Sequence, residues 1–313
     1  MRPIIIFDLL ASSVCKIINN DLGKNYSVKT LEHNKIGSWD AYTYDEVSRL
    51  VQYKWGQQLI SGRIWHGNEI VIDAGCGSGL LTKELAKKVS KGKVYAVDID
   101  SNMIKQAKTN LQAFDNVEII QSSFTEIAIP EKVDVIFSNS ALHWITDHRK
   151  AFQSFWENLR PTSTNSNNDN NSQLLIQCGG YGNLQQIIHL VEQITQLGQF
   201  KRYFADWKQP WYFPMIDETN KLLREIGYTN IRTNTNSDCV FLPNRQIYSK
   251  FVKTVVLKSY LDRLSEKNGE DFDKLKDLFL ELFLDEVEKC NNKSNNRWFL
   301  DFIRLNIIAY RIL

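Results

Sequence analysis

Two short stretches of this 313-residue chain hold residue types that could do chemistry. In the first, Val71-Ile72-Asp73-Ala74-Gly75-Cys76-Gly77-Ser78-Gly79, an apolar run ends in three glycines at alternate positions. Residues without a Cβ let a backbone turn tightly and come close to a ligand. A helix opening after Gly79 would add unpaired N–H donors that favour an anionic group. Asp98 closes the next apolar run, where a carboxylate can accept from two ribose hydroxyls. A dinucleotide would need the pattern G-x-G-x-x-G, but position 80 is Leu80. The second stretch is Asp134-Val135-Ile136-Phe137-Ser138-Asn139-Ser140-Ala141-Leu142-His143-Trp144. His143 there reads as a structural hydrogen bonder, or as a base or donor at a reaction centre. Trp144 reads as core or pocket wall. Cys76 reads as a small packing residue rather than a nucleophile.

The hydrophobic pattern supplies the elements that must position these groups. Residues 69–74, 93–97, 117–120, 133–138 and 173–178 read as short strands. Leu81, Leu85 and Val89 mark one helix between them. Ile104, Ala107, Leu111 and Phe114 mark another, with Ser101 as its cap, and Ala151, Phe152, Phe155, Trp156 and Leu159 mark a third. Strands alternating with helices predict an α/β fold with a doubly wound, mostly parallel sheet. A helix carrying Val47, Leu50, Val51, Trp55 and Leu59 precedes the first strand.

After Gly179 the pattern changes. An amphipathic helix (Leu184, Ile187, Ile188, Val191, Ile194, Leu197) leads into an aromatic and basic segment over 200–213. A helix over 217–227, a strand over 229–234, mostly helical residues 245–290 and a last strand over 305–310 follow. The chain therefore divides into an extension (1–38), a core (39–180), a mostly helical region with one core strand (181–297) and the last core strand (298–313). An inserted helical cap is expected from 181–228 and 240–297, joined by the N-terminal helix. Residues 162–172 hold no apolar side chain and predict a mobile surface loop.

Hydrophobic residues at 43% and charged residues at 24% are ordinary for a globular protein. A formal charge of +2 leaves no strongly basic footprint, so no nucleic-acid partner is expected. The five cysteines are scattered without CxxC spacing, which indicates neither a zinc site nor a disulfide framework. A reducing, cytoplasmic setting is the expectation, with no metal, and the chain as a monomer. The apolar run over 4–11 contains Asp8 and falls short of the ~20 residues that cross a bilayer, so no membrane span is expected. It also lacks the small-x-small cleavage pattern of a signal peptide.

Asp73-x-Gly75-x-Gly77-x-Gly79 with Asp98 resembles the first two motifs of class I S-adenosylmethionine (SAM) methyltransferases. The Ser138-to-Trp144 stretch resembles the subgroup holding trans-aconitate, malonyl-carrier-protein and juvenile hormone acid methyltransferases. Trp39, Tyr44 and Gln52 at the start, and the strand from Arg304 to Arg311 at the end, are similar to that group too. The resemblance covers residues 39–180 well and the remainder loosely. It implies a Rossmann-like core with SAM as cofactor. Gly75, Gly77 and Gly79 would form the loop around the amino-acid end of SAM, with Asp73 near its amino group. Asp98 would bind the ribose, Met103 would lie against the adenine, and Asn139 would pass close to the sulfonium. Ser123, beside Phe124, stands where many relatives place an adenine-contacting Asp; a neutral hydroxyl is a weaker acceptor.

Ser138-Asn139-Ser140-Ala141 replaces the Asn-Pro-Pro-Tyr type tetrad, which disfavours N-methylation of nucleobases. The resemblance favours methyl transfer to a small or carrier-bound carboxylate. A larger apolar acceptor such as a quinone or lipid precursor, or a catalytically silent SAM-binding partner protein, is the alternative. A carboxylate of pKa ~4 is already ionised and needs no base. Its charge would need a counter-charge under a water-excluding cap. Arg202 or Arg245 is expected to supply it, with Trp144 and Trp211 in the pocket wall.

Overall fold

The computed structural model describes residues 39–48, 51–163, 172–266, 272–291 and 298–312. The expected extension over 1–38, Leu50 and most of the polar loop, 164–171, lie outside the described residues. Seven strands form one sheet in the order β3-β2-β1-β4-β5-β7-β6: β1 Ile70–Ala74, β2 Lys93–Asp98, β3 Val117–Gln121, β4 Val135–Asn139, β5 Gln173–Gly179, β6 Thr229–Leu242 and β7 Trp298–Tyr310. The first five run parallel, and β7 runs antiparallel to both its neighbours. All seven residues of β5 are buried, as a strand covered on both faces requires. The Rossmann-like core expected from the sequence is present.

Strand order reverses between β1 and β4. In an open α/β sheet the crevice beyond the carboxyl ends of such neighbours is where ligands bind. Here those ends are the glycine loop after Ala74 and the turn after Asn139. Helices α1 (Ala41–Ser48) and α2 (Gln52–Ser61) precede the sheet, while α3 (Leu80–Lys88), α4 (Ser101–Leu111) and α5 (His148–Asn158) connect its strands. The cap of α4 differs from expectation. Asp100, one residue before Ser101, accepts from the N–H groups of Asn102 and Met103, both at 2.9 Å. A carboxylate at this end also suits the helix dipole.

The second half departs further from the sequence pattern. Helix α6 (Gln185–Thr195) and the segment after it join α8 (Arg245–Phe251), a π-helical turn (Val252–Val256), α9 (Lys258–Glu266) and α10 (Phe272–Asn291) around one apolar cluster. Helix α7 (Ile216–Ile226), expected in the cap, instead packs on the sheet: Leu223 is fully buried in the cluster that holds Phe152 and Ile307. Strands β6 and β7 are longer than expected. Only Arg304 to Tyr310 of β7 pair with β5, whereas its pairing with β6 continues to Trp298. The extra residues form a two-stranded ribbon that carries Phe302 against Trp55 and Phe251. Among the described residues no helix is long and apolar enough to cross a membrane.

Candidate active site

The cofactor side is built largely from backbone. Gly75, Gly77 and Gly79 all take left-handed conformations, with φ of 80°, 54° and 86°. At Gly75 a Cβ would stand 2.3 Å from Cβ of Ala141 and 2.9 Å from the ring of Phe124, so the loop can pass only without one. Gly77 faces open space, with only the Met103 sulfur 4.0 Å from where a Cβ would be. The Asp98 carboxylate holds this loop, accepting from Gly77 N–H at 2.8 Å and Asp100 N–H at 2.9 Å. Asp73, Gly75, Gly77 and Asn139 line a cleft of about 460 Å³, counting its open mouth, together with Tyr44, Asp45 and Gln52.

Asp73 is buried and accepts from Thr82 Oγ1 at 2.6 Å; burial raises its carboxyl to about 7, against that hydrogen bond. Asn139 donates through Nδ2 to the carbonyl of Gln52 at 3.1 Å, while its buried Oδ1 has no partner. Helix α1 closes over the cleft. Trp39 N–H donates to Asp100 Oδ2 at 3.2 Å, and Ser78 Oγ donates to Asp45.

The remaining expected cofactor residues stand behind or beside this wall. A Cβ on Gly79 would meet Leu111 at 2.7 Å, so its role is close packing of α3 on α4. Met103 and Phe124 are buried supports of the loop. The Ser123 hydroxyl accepts from Thr125 N–H at 3.3 Å and so caps its own turn.

A second cavity of about 560 Å³, again counting its open mouth, adjoins the first and shares Tyr44, Gln52 and Ser140 with it. Tyr44 Oη donates to Gln52 Oε1 at 3.0 Å at this junction, and Ser140 takes a left-handed φ of 58°. A non-glycine residue in that region costs energy and is concentrated at functional sites. Aromatic rings are the largest group in the wall of the second cavity, which also carries Gln177 and Asn183. Trp144 meets Trp39 and Trp211 at ring separations of 5.5 and 5.7 Å, and His143 meets Phe213 at 5.7 Å. Val255 and Val256 enter from the π-helical turn.

His143, in the turn after β4, lines this second cavity. Its Nδ1 accepts from Gly179 N–H at 3.2 Å. Burial lowers its pKa to about 3, helped by His148 nearby.

The expected counter-charges lie elsewhere. Arg245 pairs with Glu281 at 2.9 Å, Asp285 at 3.2 Å and Glu288 at 3.7 Å, so α10 holds its charge at the surface. Arg202 lies 4.7 Å over the ring of Tyr203 and bonds its hydroxyl. Neither lines the cavity; Arg304 does. The resemblance had included Arg304 only as part of the closing strand, because nothing in sequence spacing tells which side of a strand faces a cavity made by a distant cap.

These residues fit SAM. The cleft offers a bare glycine face, the carboxylates of Asp45 and Asp73 and an orphaned buried amide oxygen, with the Asp98 carboxylate bonded to the glycine loop beside it, a donor and acceptor set suited to an amino acid joined to a nucleoside. Asp73 and Asn139 would meet its amino-acid end, and Asp98 its ribose. Residues 66–224 match a family described as "Methyltransferase domain". An uncharacterised methyltransferase of Schizosaccharomyces pombe is 24% identical over 278 residues, covering 87% of this chain and 98% of that protein. A trans-aconitate 2-methyltransferase of Deinococcus radiodurans is 28% identical, over 64% of this chain and 74% of its own. A malonyl-[acyl-carrier protein] O-methyltransferase of Priestia megaterium is 28% identical, over 50% and 52%. The YcgJ protein of Bacillus subtilis shares the fold at a TM-score of 0.55 and 12% identity, covering 83% of this chain and 99% of that one. With the switch-point cleft and the relatives agreeing, the chain belongs to the methyltransferase-domain family, as a class I SAM-dependent enzyme similar to the trans-aconitate and malonyl-carrier-protein methyltransferases.

Proposed function

We propose that this enzyme methylates an oxygen of a carboxylate, on a small or carrier-bound acceptor, to give a methyl ester. The observation that carries this reading is the hydrogen bond from Gly179 N–H to His143 Nδ1. A neutral imidazole has one nitrogen lone pair to offer, and this one is taken. Its hydrogen must sit on Nε2, which makes His143 a donor toward the cavity and not a base. Protonation would both break that bond and place a charge where burial opposes it.

The other ionisable groups of the second cavity are no better as bases. Burial raises Tyr44 well above its usual value, keeping it protonated, and pushes Cys178 up to about 12. Arg304 is a cation. A phenol of pKa ~10 would therefore find nothing to take its proton, whereas a carboxylate of pKa ~4 arrives already ionised. The names of two relatives specify acids, trans-aconitate and carrier-bound malonyl, which supports the same choice.

SAM supplies, when bound, a methyl group on a cationic sulfur that an oxygen nucleophile can take. The chain's own part is to orient and to exclude water. The aromatic walls keep solvent from the reacting oxygen, which strengthens every charge interaction inside. The Nε2–H of His143 holds the acceptor carboxylate while leaving one oxygen free, and orientation of this kind can supply several kcal/mol.

Incubation with methyl-labelled SAM and a panel of carboxylic acids, acyl thioesters, phenols and quinols tests the reading. The expected product is a methyl ester, releasing its label as methanol in mild alkali. An alkali-stable product from a phenol or quinol would replace it with the larger apolar acceptor. SAM binding with no turnover on any of them would point to a silent partner protein.

A further inference from the structure

Arg304 brings one cation into a cavity whose other walls are neutral. Its guanidinium carbon stands 4.6 Å from the ring centroid of Trp55. Its side chain is 11% exposed, and one terminal nitrogen pairs with Asp238 of β6, which is 36% exposed. Its Nε is buried and has no partner. The register explains the placement. Arg304 pairs with Gly179, the last residue of β5, and from there β7 continues as the ribbon with β6 alone. The side chain thus sits where the sheet gives way to the cap, next to the residue whose N–H holds His143.

We infer that Arg304 binds a second, non-reacting anionic group of the acceptor, so that the acceptor is a dianion held at both ends. This rests on the carboxylate reading above. Three observations carry it. A guanidinium has five donors, and the pair with Asp238 uses one edge of it, while the planar face against Trp55 leaves the remaining edge to hydrogen-bond. The partner Asp238 is itself partly in water, so it can share the cation with a ligand without being left buried and unpaired.

The third observation is position. The residues common to both cavities, where the methyl group must pass, are Tyr44, Gln52 and Ser140. Arg304 is not among them; it lies on the side of Trp55 and Phe302. A cation against the reacting oxygen would withdraw charge from the nucleophile and repel the sulfonium. A cation that lines only the second cavity, outside that junction, does neither. It anchors one end of the acceptor and leaves the other, beside His143, free to react. A monoanion seated at His143 would leave this cation without a ligand partner, and the enzyme would gain nothing from it.

The test compares straight-chain monocarboxylates and dicarboxylates of matched length, from four to about ten carbons, in wild type, Arg304→Gln and Asp238→Asn, with SAM affinity measured by calorimetry throughout. The wild type is expected to favour the diacids through KM. Arg304→Gln should raise KM for the best diacid by ~30-fold or more, with kcat, monoacid KM and SAM affinity little changed. Asp238→Asn removes the competing carboxylate and should lower diacid KM by ~threefold or more. A merely structural pair would instead make both variants worse for every acid.

Equal use of mono- and diacids by the wild type, or an Arg304→Gln effect shared by both, overturns the anchor and leaves the methyl-ester reading intact. If no carboxylate of either kind is consumed although SAM binds, the methyl-ester reading itself fails. Should Arg304→Gln not fold, Asp238→Asn decides alone: a diacid KM that falls supports the anchor, and one that rises or stays put overturns it.

Discussion

The two cavities that meet at Tyr44, Gln52 and Ser140 are made by different means. The cofactor cleft is centred on one contiguous stretch, Asp73 to Ser78, whose left-handed Gly75 and Gly77 and buried carboxylate are local features, and Tyr44, Asp45, Gln52 and Asn139 complete it. The second cavity draws side chains from α1, the turn after β4, the end of β5, residues 211–213, the π-helical turn and β7. A wall of backbone has no freedom to repack, because a Cβ at Gly75 meets atoms on two sides. A wall of Trp, Phe and Val side chains can change shape residue by residue while the first cavity stays as it is. The difference teaches that cofactor use and acceptor choice are separable in this molecule, and the separation can be attacked from either side.

The largest effect is expected at the backbone wall. Gly75→Ala forces a side chain into a left-handed conformation and against Ala141 and Phe124. A cost of about 1–2 kcal/mol for the conformation and 1–3 for overpacking predicts a loss of SAM affinity approaching or exceeding ~100-fold, for every acceptor alike. Calorimetry and a melting curve check it; unchanged affinity would mean that the loop can move, and that the contrast between the two walls is false. Asp98→Ala comes next. It removes the anchor of Gly77 N–H and, if Asp98 meets the ribose, that acceptor as well, for an expected ~2–4 kcal/mol in SAM affinity.

Acid sharpens the comparison because the two sides titrate in opposite senses. His143 and His148 are held neutral by burial, their pKa values lowered from 6.5 to about 3 and about 4. The unfolded chain binds protons on these histidines below pH ~6.5 and the folded one does not, so stability falls as pH drops through that window. Asp73 is raised to about 7, so its contribution is present at low pH and is lost as pH rises toward and through that value. Urea titrations at stepped pH should show a decline below pH ~6.5 whose slope is shallower in His148→Gln. An identical slope would remove this buried histidine from the account.

A smaller effect is expected on the cofactor side near neutral pH. The proton that burial keeps on Asp73 should leave when a cationic amino group arrives beside it. SAM binding at about pH 7 is thus expected to release up to one proton, read as a binding enthalpy that depends on the ionisation enthalpy of the buffer. No buffer dependence would place the amino group away from Asp73. The smallest effect is predicted for the second cavity's imidazole. His143→Gln keeps a neutral donor, so kcat should fall less than ~tenfold and its pH profile should stay flat from pH 6 to 9. A collapse restored by raising pH would make His143 a base and the acceptor a hydroxyl.

Much of this was written in local pattern. The parallel strands are short apolar runs, buried in all but the edge strand β3, and Asp73, Gly75, Gly77 and Asp98 lie at or just beyond the ends of β1 and β2, so counting residues finds them. Local reading failed where burial depends on partners far away in sequence. The polar run Thr235 to Asp238 has no apolar alternation, yet it continues the expected strand, because one side of the β6–β7 ribbon faces water and its hydrogen bonds come from β7. Helix α7 has an amphipathic pattern that suits a cap as well as a sheet face, and only the contact of Leu223 with the sheet decides between them. Arg202 and Arg245 looked like free cations beside aromatic residues, but a sequence does not show that Glu281, Asp285 and Glu288 sit under Arg245.

By itself the sequence determined the parallel core of the fold and the glycine loop, since each rests on backbone conformation and on spacing within a few residues, and the cofactor class followed from the family resemblance those motifs carry. Only the tertiary structure decided the tautomer of His143 and which arginine enters the second cavity. Gly179 lies 36 residues from His143, and Asp238, Trp55 and Arg304 are joined through a strand register and a helix packing that no local spacing encodes. Side-chain charge and hydrogen bonding are settled by neighbours in space, and in this molecule those neighbours come from opposite ends of the chain.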